Sequence, residues 1–177
     1  MSGAVLAGGR SSRFGSDKSS YFWRGQTLLE WAQHSLAHLP EVQIIGGTQP
    51  NAVTEAVKFA GALYGLALAL ESTKAARVAV MACDMPNLSR EFWLFMAQFH
   101  ADVVIAKNAT GHLEPLAAIY TRRCLPWVQS ALANSDLRLN GWWQISDLTV
   151  QIVTWEELEL FFTPDLFLNA NTPTDLA

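Results

Sequence analysis

Val78-Ala79-Val80-Met81-Ala82 is apolar at every position. A strand with one face in water alternates apolar and polar residues, so this run predicts a central strand covered by helices on both faces. Five further β-rich runs, Ala4–Ala7, Val42–Ile45, Val103–Ala106, Leu116–Tyr120 and Gln151–Thr154, alternate with helix-like stretches. That alternation predicts an α/β domain with a mostly parallel sheet. The clearest helix is Leu28–Leu39, where Leu28, Leu29, Trp31, Ala32, Leu36 and Leu39 form an apolar stripe and Thr27 with Glu30 forms a capping box. Ala62–Ser72, Ser89–Phe99 and Leu125–Asn134 are further helices, the second with Ser89 as N-cap and Glu91 in its first turn, the third with Pro126 in its first turn.

No repeat, low-complexity stretch or linker breaks this pattern, so one domain over residues 1–177 is expected. Half the residues are hydrophobic and 16% are charged, against roughly 25% in average soluble domains, which excludes disorder. The longest apolar stretch, Phe59 to Leu70, has 12 residues and two glycines, short of the roughly 20 needed to span a bilayer. The start of the chain shows no charged n-region or apolar h-region. Cys83 and Cys124 show no metal or disulfide spacing, so a reducing cytoplasm is the expected location.

The net charge of -4 disfavours nucleic acid and acidic membranes as partners. Its distribution is uneven. Arg10, Arg13, Lys18 and Arg24 face only Asp17 in the first 28 residues, whereas six acids and no Lys or Arg follow Arg138. A local positive spot on an acidic chain suits a small anion.

The segment Leu6-Ala7-Gly8-Gly9-Arg10-Ser11-Ser12-Arg13-Phe14-Gly15-Ser16-Asp17-Lys18 places glycines, serines and cations directly after the first strand. Glycine lets backbone N–H groups approach phosphate oxygens, and Arg and Lys neutralise their charge. The spacing matches neither GxxxxGK[ST] nor GxGxxG. Asp84, just past the carboxyl end of the apolar strand, lies where open α/β sheets bind ligands, and a carboxylate there suits Mg²⁺.

Leu6–Lys18 resembles the LAGGxSxRMGxDK signature of MobA-type molybdenum cofactor guanylyltransferases and related nucleotidyltransferases, with Phe14 in place of the methionine. Cys83-Asp84-Met85-Pro86 is similar to the family's CDxP, Glu114-Pro115-Leu116-Ala117-Ala118-Ile119-Tyr120 to EPLxAxY, and Asn169-Ala170-Asn171-Thr172-Pro173 to NxNTP. The resemblance implies a three-layer, Rossmann-like nucleotidyltransferase fold with a mostly parallel mixed sheet. It also implies transfer of GMP from GTP to molybdopterin with release of pyrophosphate.

On that resemblance, Leu6, Ala7, Gly8 and Gly9 fit the base and ribose, while Arg10, Ser11, Ser12 and Arg13 surround the phosphates. Lys18 stabilises charge at the α-phosphorus, Asp84 holds Mg²⁺, and Asn171, then Asn169, adds a neutral oxygen. Glu114 and Pro115 face the acceptor. A second copy of the chain, molybdoenzymes and cofactor-biosynthesis proteins are the implied protein partners.

Two departures bear on the base. Val57-Lys58-Phe59-Ala60-Gly61-Ala62-Leu63-Tyr64-Gly65 lacks the Asp that the family carries shortly before GPLAG, and Gly46-Gly47 stands where an Asn follows the second strand. Without that carboxylate the guanine N1–H and amino donors lose an acceptor, at a cost of about 1–3 kcal/mol. CTP or another nucleotide, a different phosphorylated acceptor, or a nucleotide-binding regulator without turnover are the alternatives.

Other residues read as structure. His34 and His38 are expected on an exposed helix face, Cys83 as a small packing residue, and Trp142-Trp143 as core or dimer packing. Arg122, Arg123 and Arg138 are surface arginines or contacts to an acceptor phosphate.

Overall fold

The computed structural model describes residues 1–8, 18–54 and 61–176. In chain order the elements are β1 (Ser2–Leu6), β2 (Phe22–Trp23), β3 (Gln26–Thr27), α1 (Leu28–Leu36), β4 (Val42–Ile45), α2 (Ala62–Ser72), β5 (Arg77–Ala82), α3 (Arg90–Met96), β6 (Val103–Lys107), β7 (Leu113–Thr121), α4 (Leu125–Ala133), β8 (Val150–Val153) and α5 (Trp155–Leu158). Short 3-10 turns lie at Lys18–Ser20, Arg122–Cys124, Trp142–Ile145, Pro164–Phe167 and Pro173–Leu176.

Among the described residues, six strands form one sheet in the order β4-β1-β5-β7-β6-β8. β4, β1 and β5 are parallel, β7 runs antiparallel to both its neighbours, and β8 is parallel to β6. Both faces are covered, as the unbroken apolar run requires. Ala79 and Met81 pack with Leu29, Ala32 and Leu36 of α1 and Phe92, Trp93 and Met96 of α3. Val78 and Val80 pack with Leu63, Leu66 and Leu70 of α2 and Val128 of α4. This gives the expected three layers.

Local signals set the helix starts. Thr27 and Glu30 form the capping box on α1, and the Ser89 hydroxyl accepts from the Phe92 N–H at α3. α1 ends at Leu36 and α3 at Met96, each short of the periodic stripe, because tight turns over 37–40 and 97–100 take over. His38 therefore lies beyond α1. The pair His34 and His38 does not form a one-face clamp, and His38 buries both ring nitrogens without a partner among the described residues. Burial holds its pKa below the usual histidine range, with Arg90 adding to the effect. Trp142 and Trp143 are core, edge to face with each other and beside Tyr120.

Chain order across the sheet locates the ligand crevice. From β1 the chain crosses through α1 to β4 on one side, then returns through α2 to β5 on the other. The direction of winding reverses between β1 and β5, the switch point where open α/β sheets bind ligands beyond the carboxyl ends of their strands. Among the described residues, no helix is long and apolar enough to cross a membrane.

Candidate functional site

The switch point is lined by loops that each leave a parallel strand. Past β1, Ala7 donates its N–H to Ile45 O at 2.9 Å, and past β5, Cys83 donates to Leu6 O at 3.1 Å. These bonds prolong the strand pairing and hold Gly8 and Asp84 at neighbouring strand ends. Cys83 is buried among core residues.

Gly46 and Gly47 close the β4 side. Gly46 has φ 72° and Gly47 φ 84°, conformations that favour glycine. A Cβ on Gly46 would stand 2.9 Å from the Gly8 Cα. Gly46→Ala should therefore cost about 1–3 kcal/mol in urea unfolding and displace the Gly8 backbone. Gly25, with φ 90° but open space where its Cβ would lie, is the control, and Gly25→Ala should cost less.

Lys18 opens the first 3-10 turn. Its ammonium donates to Asp84 Oδ2 at 2.5 Å and to Asn171 Oδ1 at 3.3 Å. Both partners of the ion pair are largely shielded, with side-chain exposures of 14% and 19%. Three residues far apart in the chain thus meet at one cation. The turn is anchored from β4 by Gln49, whose Nε2 donates to the buried Ser19 hydroxyl at 3.2 Å. Nothing in the sequence marks Gln49 for this role, because the contact depends on how the β4 loop folds back.

The Asn169–Thr172 segment is fastened beside Asp84. Ala170 donates its N–H to the Asp84 carbonyl at 2.9 Å, and Ala170 and Leu176 pack on Leu28, Tyr21 and Trp23. Asp175 accepts from the N–H groups of Thr172 and Asn171 at 2.7 and 2.8 Å. These bonds, that from Thr172 foremost, hold its carboxyl below the usual range. Asn171 points its oxygen at Lys18, while the exposed Asn169 holds the turn through its carbonyl, which accepts from the Asn171 N–H.

Asp84 Oδ1 is buried and without a hydrogen-bond partner among the described residues. A desolvated carboxylate oxygen with no donor is unfavourable unless something cationic completes it. With Asn171 Oδ1 close by, the hard oxygen donors fit Mg²⁺, which binds through one or two carboxylates and substrate phosphates. No group of three or more His, Cys, Asp or Glu suited to a metal occurs among the described residues.

Glu114 reaches the same end of the sheet from β7. Met81 of β5 pairs with Ala117 of β7, so β7 starts at the end of the sheet where β5 runs into the turn that carries Asp84. β6 passes from the Ile105–Ala118 pair to Ala106–Glu114 in one step, so Pro115, Leu116 and Ala117 bulge from β7 on that side. The Tyr120 hydroxyl donates to the Pro115 carbonyl at 2.8 Å and fixes the bulge. Asn108 Nδ2 donates to Glu114 Oε1 at 2.6 Å. Burial raises the Glu114 carboxyl above its ordinary range, opposed by the Asn108 bond and by His112.

Of the other expected residues, Leu6 and Ala7 are buried at the end of β1, and Gly8 is exposed beside Gly46. Gly9, Arg10, Ser11, Ser12 and Arg13 lie outside the described residues, as do residues 57–60 of the base-side segment. Arg24 stacks on Trp23 at 4.4 Å in the β2–β3 hairpin. Arg122 and Arg123 follow β7 and so stand at the opposite end of the sheet, where Arg123 pairs with Asp102 at 2.9 Å. Both are exposed and lie away from the Asp84 end of the sheet. Arg138 is exposed and paired with Asp136 at 2.7 Å. A hollow of about 330 Å³ beside Asn87 and Phe161 has one carboxylate in its lining, Asp165, already bonded to Asn87 and Thr163.

A family model described as the MobA-like NTP transferase domain matches residues 3–144. A Bacillus subtilis (strain 168) protein named "Probable molybdenum cofactor guanylyltransferase" is 31% identical over 188 residues, covering 98% of this chain and 91% of the relative. A Nostoc sp. protein of the same name is 31% identical over 193 residues, covering 100% of this chain and 89% of the relative. The crystal structure of molybdopterin-guanine dinucleotide biosynthesis protein A from Archaeoglobus fulgidus superposes with a TM-score of 0.83 at 23% identity, covering 99% of this chain and 95% of that one.

Proposed function

Because the chain belongs to the MobA-like NTP transferase domain family, we propose that it transfers GMP from GTP to a molybdopterin-type acceptor and releases pyrophosphate. The observation that carries this reading is the meeting of Lys18, Asp84 and Asn171 at the switch point between β1 and β5. It supplies a fixed cation and a metal-ready carboxylate where a triphosphate would lie, and the names of the relatives point to the guanine nucleotide and the acceptor.

In the reaction an acceptor phosphate oxygen forms a bond to the α-phosphorus as the bond to the β-phosphate oxygen breaks, and pyrophosphate departs. No side-chain nucleophile is needed, so catalysis is positioning and charge stabilisation. Lys18 holds positive charge at the phosphates, Asp84 fixes that ammonium, and the Gly8 backbone lets the nucleotide approach the end of β1. Asp84 Oδ1 and Asn171 Oδ1 are the residues that would hold Mg²⁺, which when bound supplies charge neutralisation between donor phosphates. Arg13 and the remaining loop residues are assigned to the β- and γ-phosphates from the motif alone.

The absent base-side carboxylate favours testing a second reading, in which CTP or another triphosphate is the donor. A thermal-shift panel of the four nucleoside triphosphates with Mg²⁺ is expected to show the largest rise with GTP. A larger rise with CTP would move the assignment to cytidylyl transfer. Triphosphate binding without pyrophosphate release in the presence of molybdopterin would indicate a regulator instead of an enzyme.

A further inference from the structure

We infer that Gln49 is a positioning residue for the transfer proposed above, a role that rests on that reading of the reaction. Its carboxamide, bonded to Ser19, ties the turn that carries Lys18 to the β4 loop and so fixes the ammonium relative to the Gly8 backbone. The Lys18–Ser20 turn is three residues long, too short to hold its place by its own backbone bonds. Bonds to other elements secure it. Tyr21 donates its N–H to the Lys18 carbonyl at 3.1 Å and accepts from the Leu28 N–H of α1 at 3.0 Å, while Gln49 Nε2 reaches the buried Ser19 hydroxyl at 3.2 Å from the β4 side.

The β4 end of this tie is itself held. Gly46 donates its N–H to the Val53 carbonyl at 2.9 Å, Val53 to Ile44 at 2.8 Å and Ala52 to Gln49 at 3.0 Å, which folds the loop back on β4. The Gln49 side chain then crosses Gly47. A Cβ on Gly47 would stand 2.5 Å from Gln49 Oε1 and 3.3 Å from the Ala7 Cβ, so glycine there leaves the space that the carboxamide fills beside the end of β1. Gln49 Oε1 is buried and without a hydrogen-bond partner among the described residues. A glutamine serving only the surface would turn that oxygen to water. The Ser19 bond holds in either orientation of the amide, because a hydroxyl can accept from Nε2 or donate to Oε1.

The same loop presses on Gly8, whose Cα lies 2.9 Å from where a Cβ on Gly46 would stand. One loop thus sets both the backbone at the end of β1 and the turn of the cation. Lysine carries its charge on a flexible stem, and a misplacement of about 1 Å can cost roughly 10²-fold in rate. Asp84 and Asn171 hold the ammonium end of that stem, and Gln49 holds the turn at its root.

The test is a double-mutant cycle of wild type, Lys18→Ala, Gln49→Met and the two combined, in which methionine keeps a stem over Gly47 and removes the amide. Each protein is assayed for kcat of pyrophosphate release from GTP with molybdopterin and Mg²⁺, and for affinity toward α,β-methylene GTP. Gln49→Met should lower kcat about tenfold when Lys18 is present and less than twofold when it is alanine, since a residue acting through Lys18 has nothing left to position. Ser19→Ala should match Gln49→Met, and adding one to the other should cost nothing more. Equal loss with and without Lys18, or near-normal kcat in Gln49→Met or Ser19→Ala, overturns the inference. Failure of the transferase reading is separate, appearing as no pyrophosphate release by wild type. The cycle is then read in affinity for α,β-methylene GTP, where Gln49→Met should weaken binding about threefold only in the presence of Lys18, and equal weakening in both backgrounds overturns the inference.

Discussion

Lys18→Ala and Asp84→Ala should each lower turnover roughly 10²–10³-fold, as loss of one preorganised charge stabiliser typically does. Pyrophosphate release with saturating GTP and acceptor measures the effect. The two variants should differ in kind. Lys18→Ala removes the cation and leaves the Asp84 carboxylate to repel the triphosphate, so nucleotide affinity falls with turnover. Asp84→Ala frees the ammonium from its 2.5 Å partner and removes the oxygen offered to Mg²⁺, so its residual activity should respond less steeply to added Mg²⁺. Lys18→Arg should rescue little, because a planar guanidinium cannot reproduce a compact ammonium held between a carboxylate and an amide oxygen. Both alanine variants should keep their unfolding transitions, since neither residue belongs to the apolar core. Near-normal pyrophosphate release by either folded variant would remove these residues from the reaction.

The largest effect on stability is expected at the other end of the sheet. Asp102 is 6% exposed and ties the starts of β6 and β8 to the end of β7. Its carboxylate accepts from the Thr149 N–H and hydroxyl, each at 3.0 Å, from the Thr121 hydroxyl at 2.9 Å and from Arg123 at 2.9 Å. Asp102→Ala leaves the Thr149 N–H without its acceptor and should cost about 3 kcal/mol in urea unfolding. The remaining folded protein should turn over normally, because Asp102 is remote from the crevice.

The same group sets a pH dependence. Burial alone would raise the Asp102 carboxyl, but the Thr149 N–H, the Thr121 and Thr149 hydroxyls and Arg123 outweigh it, and the native pKa lies below the ordinary value. Its stabilising contribution is therefore complete above the unfolded pKa of about 3.9 and is lost as pH falls through the lower native value. Wild type should lose stability across that acid window, and Asp102→Asn should show a shallower fall. Equal acid sensitivity in the two proteins would remove Asp102 as the cause.

What the sequence made legible was what depends on neighbours in the chain. The apolar Val78–Ala82 run implied burial on both faces, and Thr27 with Glu30 and Ser89 marked helix starts through bonds spanning three residues. Motif order placed Lys18, Asp84 and Asn171 together in prospect, and the fold brings them within hydrogen-bond reach. Features set by strand order were hidden. That β7 runs against its neighbours sends Arg122 and Arg123 to the end away from Asp84, and no local spacing encodes a strand's direction. The β2–β3 hairpin was missed because two-residue strands carry no periodicity, although Arg24-Gly25 supplies its two positive-φ turn residues. The Asn108 bond to Glu114 has a faint signal in Asn108-Ala109-Thr110-Gly111, a turn-forming set, but its target emerges only with the bulge.

Lys18 and Asn171 are 153 positions apart, and the Trp23 indole donates to the Leu176 carbonyl across the same interval. A ribosome extending the chain by about 5–20 residues per second needs roughly 4–17 seconds to pass from Asp84 to Asn171. During that interval the phosphate-side cation has its carboxylate but not its second oxygen, and Leu28 lacks the cover of Ala170 and Leu176. The last residues to be made are thus the ones that close this end of the molecule.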